Sequence, residues 1–75
     1  LKVLELGSGR GGLGLQLAKL GAQVTLVDFS PSAIEQSRKI FAHENLSAEF
    51  VVSDVTHPDL RLTQQFDLIV DSHLL

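Results

Sequence analysis

Apolar and polar positions fall into two alternating kinds of stretch along the chain. Residues 1–6, "LKVLEL", are short, mostly apolar and run straight into glycines, which predicts a buried strand of a parallel sheet. From about Gly12 the spacing changes: Leu13, Leu17 and Leu20 recur at i, i+4 and i+7, a helical stripe with Gly21 as its C′ stop. Residues 22–28, "AQVTLVD", are rich in β-branched types and close on an acid, so they read as a second strand. A second helix opens in "SPSAIEQSRKIFAHENL", where Ser30 is the N-cap, Pro31 the first helical position, and Ser32 with Glu35 an alternative capping box. Its inward stripe reads Ala33, Ile34, Ser37, Ile40 and Phe41. Residues 48–54 make a third strand and 66–72 a fourth; between them 55–65 is polar and interrupted by Pro58, a loop with room for a short helix.

Strands separated by helix-sized crossovers imply a parallel sheet whose crossovers are right-handed. The expected architecture is an open, Rossmann-like α/β sheet of strand order 3-2-1-4 with helices on both faces. In such sheets ligands bind beyond the carboxyl ends of the strands, where the order reverses. That rule selects residues 5–11, Asp28, Asp54 and residues 71–73.

Composition narrows the class without naming a function. The chain has 75 residues, 44% hydrophobic and 20% charged with net charge −3, which is one small domain of soluble globular composition. No apolar run approaches the roughly 18 residues of a membrane span. Nor is there the clustered basic face of a nucleic-acid binder. Without cysteine there is no disulfide framework and no thiolate metal site, which fits a reducing compartment and a cytoplasmic location. Both ends fall within strand-like runs and no initiator methionine is present, so the expectation is a single domain, residues 1–75, truncated at both ends.

Five of the six glycines crowd into "LELGSGRGGLG", residues 4–14. Gly7, Gly9 and Gly12 satisfy G-x-G-x-x-G, and so do Gly9, Gly11 and Gly14. Glycine permits positive φ and close backbone approach, and the following helix offers free N–H groups. By itself such a turn suits a pyrophosphate, a carboxylate or plain tight packing. Glu5 sharpens the choice, because a carboxylate at the end of strand one repels a pyrophosphate and suits a ligand bearing an ammonium or sulfonium. Its bland alternative is a solvated or turn-bonding acid.

These residues carry a resemblance. "ELGSGRG" fits E/D-x-G-x-G-x-G, the first motif of the class I S-adenosylmethionine-dependent methyltransferases. "VTLVDFSPSAI" (24–34), "FVVSDV" (50–55) and "FDLIVDSHLL" (66–75) resemble that family's next three segments, in order and at matching spacing. The resemblance implies part of a seven-stranded sheet, S-adenosylmethionine as cofactor, and methyl transfer to a nucleophile by in-line displacement. On it, Gly7, Ser8, Gly9 and Gly11 run past the methionyl part of the cofactor, and Glu5 sits near its amino group, directly or through water. Asp28 accepts both ribose hydroxyls, a match of one carboxylate to a vicinal diol. Phe29 offers an apolar edge to the adenine, Asp54 accepts from its amino group, and the Val55 N–H donates to the ring. Asp71, Ser72 and His73 face the cleft near the transferable methyl.

Several of these positions keep a second reading. Asp28 lies 21 positions beyond Gly7, and dinucleotide folds also place a ribose-binding acid about 20 residues on. It also suits a helix-capping acid, and "SDVTHPD" around Asp54 is ordinary turn chemistry. "DSHL" stands where amino-nitrogen methyltransferases of adenine, cytosine or glutamine carry N/D-P-P-Y, so Asp71 and His73 are only weak catalytic candidates. His73 is either a general base for a hydroxyl or amine acceptor or a loop histidine. Arg10 meets the cofactor carboxylate or faces solvent. His43 and His57 lack spaced partners, and three scattered histidines without cysteine make no metal site.

Two rival functions share the pattern. An NAD(P)-dependent oxidoreductase Rossmann domain shares the glycines, Asp28 and the "DVT" after strand three. It departs where Leu13 replaces the last glycine of T-G-x-x-x-G-x-G and "IVDSH" replaces N-N-A-G. A non-catalytic methyltransferase-like binding module is the second, and it predicts damaged ligand positions. The methyl acceptor and the oligomeric state stay open at this level, since specificity belongs to other segments.

Overall fold

The computed structural model of the chain describes residues 1–7, 12–53 and 64–71, Asp71 by its backbone alone. At its centre, β1 (Lys2–Leu6) pairs in parallel with β2 (Gln23–Asp28) on one side and β4 (Leu68–Asp71) on the other. β3 (Glu49–Val52) adds to β2, also in parallel, so the order is β3-β2-β1-β4, as the crossover pattern predicts. A clip at the amino end fixes the register of β4: the Lys2 N–H donates to Asp67 Oδ2 at 2.7 Å, and the Asp67 N–H donates to the Lys2 carbonyl at 2.7 Å.

Register and the two-residue period of strands divide the side chains between two faces. Val3 and Glu5 pair with Val24 and Leu26, and with Asp28 these share one face. Leu4 and Leu6 pair with Thr25 and Val27 on the other. Helices α1 (Gly12–Lys19) and α2 (Pro31–His43) both pack on the first face, where Val3, Ala18, Val24, Leu26, Ile34 and Phe41 form the main core. This follows from handedness, because β1 to β2 to β3 steps twice in one direction and right-handed crossovers then fall on one side. On the second face Leu4, Leu6 and Val27 are buried with Phe66 against them. The described helices thus cover one of the two faces expected to carry them; residues 54–63, between β3 and β4, lie outside the described set.

Local signals set the helix ends. Ser30, with φ −92° and ψ 116°, caps α2: its Oγ accepts from the Ala33 N–H at 3.3 Å, and Pro31 follows as the first helical residue. The cap is therefore Ser30 and not the alternative at Ser32. Both helices close with the same left-handed device. Gly21 has φ +97°, with the Ala22 N–H donating to the Leu17 carbonyl at 3.0 Å and the Gly21 N–H to the Ala18 carbonyl at 3.0 Å. Asn45, at φ +58°, does the same for α2, with the Leu46 N–H donating to the Phe41 carbonyl at 2.9 Å.

The inward faces differ from expectation in one helix. In α2, Ile34, Ser37 and Phe41 are buried as the stripe predicts, Ala33 is half-buried, and Ile40 sits exposed at the margin. In α1 the stripe holds at Leu17 and fails at its two ends: Leu13 is 47% exposed and Leu20 84%, whereas Gly14 and Ala18 are buried, with Leu15 and Leu17 packed alongside. At Gly14 the helix lies so close to the sheet that the position has no room for a side chain.

Candidate functional site at the carboxyl edge of the sheet

The strand exits come together along one edge. β1 leaves the sheet at Gly7, whose φ of +63° is left-handed and whose N–H donates to the Val27 carbonyl at 2.8 Å. β2 ends one strand away at Asp28, whose carbonyl accepts from the Ser53 N–H at 2.9 Å as β3 ends beside it. On the other side the backbone of Asp71 registers with Leu6. Gly7, Asp28, Ser53 and Asp71 are thus spread across the carboxyl edge at the roughly 4.8 Å spacing of neighbouring strands.

Asp28 is buried and holds a local job. Its Oδ1 accepts from the Ser30 N–H at 3.0 Å, a turn that leads directly into the cap of α2. The helix-capping alternative takes the form of a bond to the cap residue's own N–H, Ser30 itself being the cap, and it leaves the rest of the carboxyl group's chemistry unassigned. Phe29, next along, is 63% exposed at the same edge.

Glu5 is 1% exposed, which removes the solvated alternative. Its side chain belongs to the helix-covered face, two positions before the exit at Gly7, and reaches beneath the first turn of α1. A Cβ built on Gly14 would lie 2.6 Å from Glu5 Oε1, 3.1 Å from Leu26 Cδ2 and 3.3 Å from Val24 Cγ1. The acid therefore lies in the wall of the site and not at its rim, in a space kept open by Gly14. The sequence named Gly14 only as the end of a second glycine pattern; the signal was present, its purpose was not.

Glu5, Gly7, Asp28 and Phe29 are placed at one end of the sheet, Glu5 and Asp28 on the same face. Ser8, Gly9, Arg10, Gly11, Asp54, Val55, His57, Ser72 and His73 lie outside the described residues. His43 closes α2 and is exposed. Among the described residues no group of three or more His, Cys, Asp or Glu could hold a metal ion, and no helix is long and apolar enough to cross a membrane. A concavity of about 440 Å³ opens at the opposite, amino edge, lined by Lys2, Gln23, Ser47, Glu49 and Gln65 among others. It includes none of the carboxyl-edge residues, and the topological rule favours the other end.

The family described as "Methyltransferase domain" matches residues 3–75. The chain is 40% identical over 74 residues to phosphoethanolamine N-methyltransferase of Triticum aestivum, covering 97% of this chain and 14% of that protein. It is 36% identical over 73 residues to ribosomal RNA small subunit methyltransferase C of Haemophilus influenzae, covering 95% of this chain and 21% of that protein. The solved structure of coclaurine N-methyltransferase bound to N-methylheliamine and SAH superposes with a TM-score of 0.79 at 30% identity, over 93% of this chain and 21% of that one. The chain thus spans a small part of the length of the proteins it matches. On the matched family, the identities and the shared fold, this chain belongs to the class I S-adenosylmethionine-dependent methyltransferase family.

Proposed function

We propose that the protein is an S-adenosylmethionine-dependent methyltransferase, and that residues 1–75 are the cofactor-binding part of one such domain. The observation that carries this reading is a buried acid, Glu5, beneath the first turn of α1, with the left-handed exit at Gly7 beside it and Asp28 one strand over. In dinucleotide folds the positive end of this helix attracts a pyrophosphate. A carboxylate set against that same turn opposes phosphate and favours a cationic amino-acid group. The residues present therefore fit S-adenosylmethionine better than NAD(P).

S-adenosylmethionine supplies a methyl group made electrophilic by its sulfonium, with a thioether as leaving group. Glu5 balances the ammonium, directly or through water, and Gly7, Ser8, Gly9 and Gly11 let the backbone pass close to the amino-acid part. Asp28, held by the Ser30 N–H, accepts from the ribose diol. Phe29, Asp54 and the Val55 N–H meet the adenine. These acids hold a cation whose charge falls in the transition state, so they bind more than they accelerate. Rate comes from holding the acceptor in line with the S–CH₃ bond. Asp71 or His73 acts as a base only where the acceptor must lose a proton as it attacks. The relatives' names cover a small-molecule nitrogen and a ribosomal RNA, and acceptor choice rests with segments beyond these residues. The cysteine-free composition supports a cytoplasmic location.

Calorimetric titration of the full-length protein with S-adenosylhomocysteine and with NAD⁺ tests the assignment. Binding of the first, weakened by about tenfold or more in Asp28→Ala, is the expected result. Tight NAD⁺ binding with no response to S-adenosylhomocysteine would overturn it.

A further inference from the structure

We infer that Gly14 is a positioning residue for cofactor selectivity: by lacking a side chain it holds the Glu5 carboxyl group where the cofactor's ammonium can use it. The inference rests on the proposed function, and it concerns a residue outside the E/D-x-G-x-G-x-G motif.

Gly14 sits on the inward side of α1 over the seam between β1 and β2. An added Cβ would meet Glu5 Oε1 at 2.6 Å, closer than real Cβ atoms come. The other two neighbours, Leu26 at 3.1 Å and Val24 at 3.3 Å, are buried core side chains with little room to retreat. Glu5 is equally enclosed, so a methyl at position 14 has two outcomes. Either the carboxyl group swings away, or the helix lifts off the sheet. Both displace the Glu5 carboxyl group relative to α1, while the Asp28 carboxyl group keeps its bond from the Ser30 N–H one strand away. Gly12, two residues earlier in the same helix, makes the contrast: a Cβ there meets nothing within 4 Å.

The test compares S-adenosylhomocysteine, which carries the amino-acid group, with 5′-methylthioadenosine, which lacks it. In Gly14→Ala, affinity for S-adenosylhomocysteine should fall by about tenfold or more while affinity for methylthioadenosine stays within about twofold. Gln16→Ala, at an exposed position of the same helix, should leave both unchanged. In a Glu5→Gln background, where the charge is already gone, adding Gly14→Ala should not alter the ratio further. If Gly14→Ala lowers both affinities in parallel, or the two substitutions act additively, Gly14 is only a packing residue and the inference fails. Should Gly14→Ala be insoluble, Gly14→Ala/Glu5→Asp carries the same test, since the shorter acid makes room for the methyl. Its preference for S-adenosylhomocysteine must exceed that of Gly14→Ala/Glu5→Gln, and equality refutes the inference. Failure of the unsubstituted protein to bind S-adenosylhomocysteine at all would instead overturn the proposed function.

Discussion

Helices α1 and α2 pack on the same face of the same sheet and end in the same left-handed turn, yet they meet the sheet in opposite ways. α2 is 13 residues long, begins at a serine cap, and fills its contact with Ile34, Ser37 and Phe41. Phe41 in turn stands edge-on to Phe50 of β3 at 5.5 Å, with the Arg38 guanidinium 4.9 Å over the Phe50 ring. α1 is eight residues long, follows glycines, and buries Gly14 and Ala18 most deeply, with Leu15 and Leu17 packed beside them. One helix supplies volume and the other supplies proximity. The helix that comes close is the one that covers Glu5, so the candidate site depends on contact positions that hold almost no side chain.

That contrast breaks in predictable ways. The largest effect should come from removing volume under α2: Phe41→Ala leaves a cavity in the main core and should cost about 3–5 kcal/mol, read from the urea midpoint at unchanged slope. For α1 the damaging change is the reverse. Ala18→Leu should cost about 1–3 kcal/mol by overpacking, and Ala18→Gly less than that beyond its helix-propensity loss of about 1 kcal/mol. If Ala18→Leu is tolerated at no cost, α1 has slack and the close-approach reading is wrong. Gly21→Ala forces a Cβ into φ +97° and should cost about 1–2 kcal/mol, seen as a lower Tm. Leu20→Lys, at the position the helical stripe counted as inward, should change stability by less than about 0.5 kcal/mol. A loss of more than about 2 kcal/mol there would restore the stripe and overturn the observed phase of α1.

α2 was readable because its signals are local and additive. The Ser-Pro start, the bulky residues at helical spacing and the polar remainder all belong to one short stretch, and each acts within a turn or two. α1 was readable as an element but not in its orientation. A periodicity count weights large apolar residues, whereas the positions nearest the sheet are small because something else occupies the space. At Gly14 that occupant is Glu5, nine residues away in sequence and directly beneath in space. Similarly, Glu5 is in sequence an acid at a strand exit, and neither its residue type nor its place in the motif carries a signal that it is enclosed.

Taken alone, the chain determined the alternation of strands and helices, the parallel order β3-β2-β1-β4, the Ser-Pro start of α2 and the cluster of strand exits, because these follow from short-range periodicity, turn chemistry and the handedness of crossovers. Only the tertiary structure decided which side of α1 faces inward, that Glu5 is buried, and that Gly14 makes its space. Those depend on how far a helix stands from a sheet, a distance set by side chains that are remote in sequence and meet only once the sheet is formed.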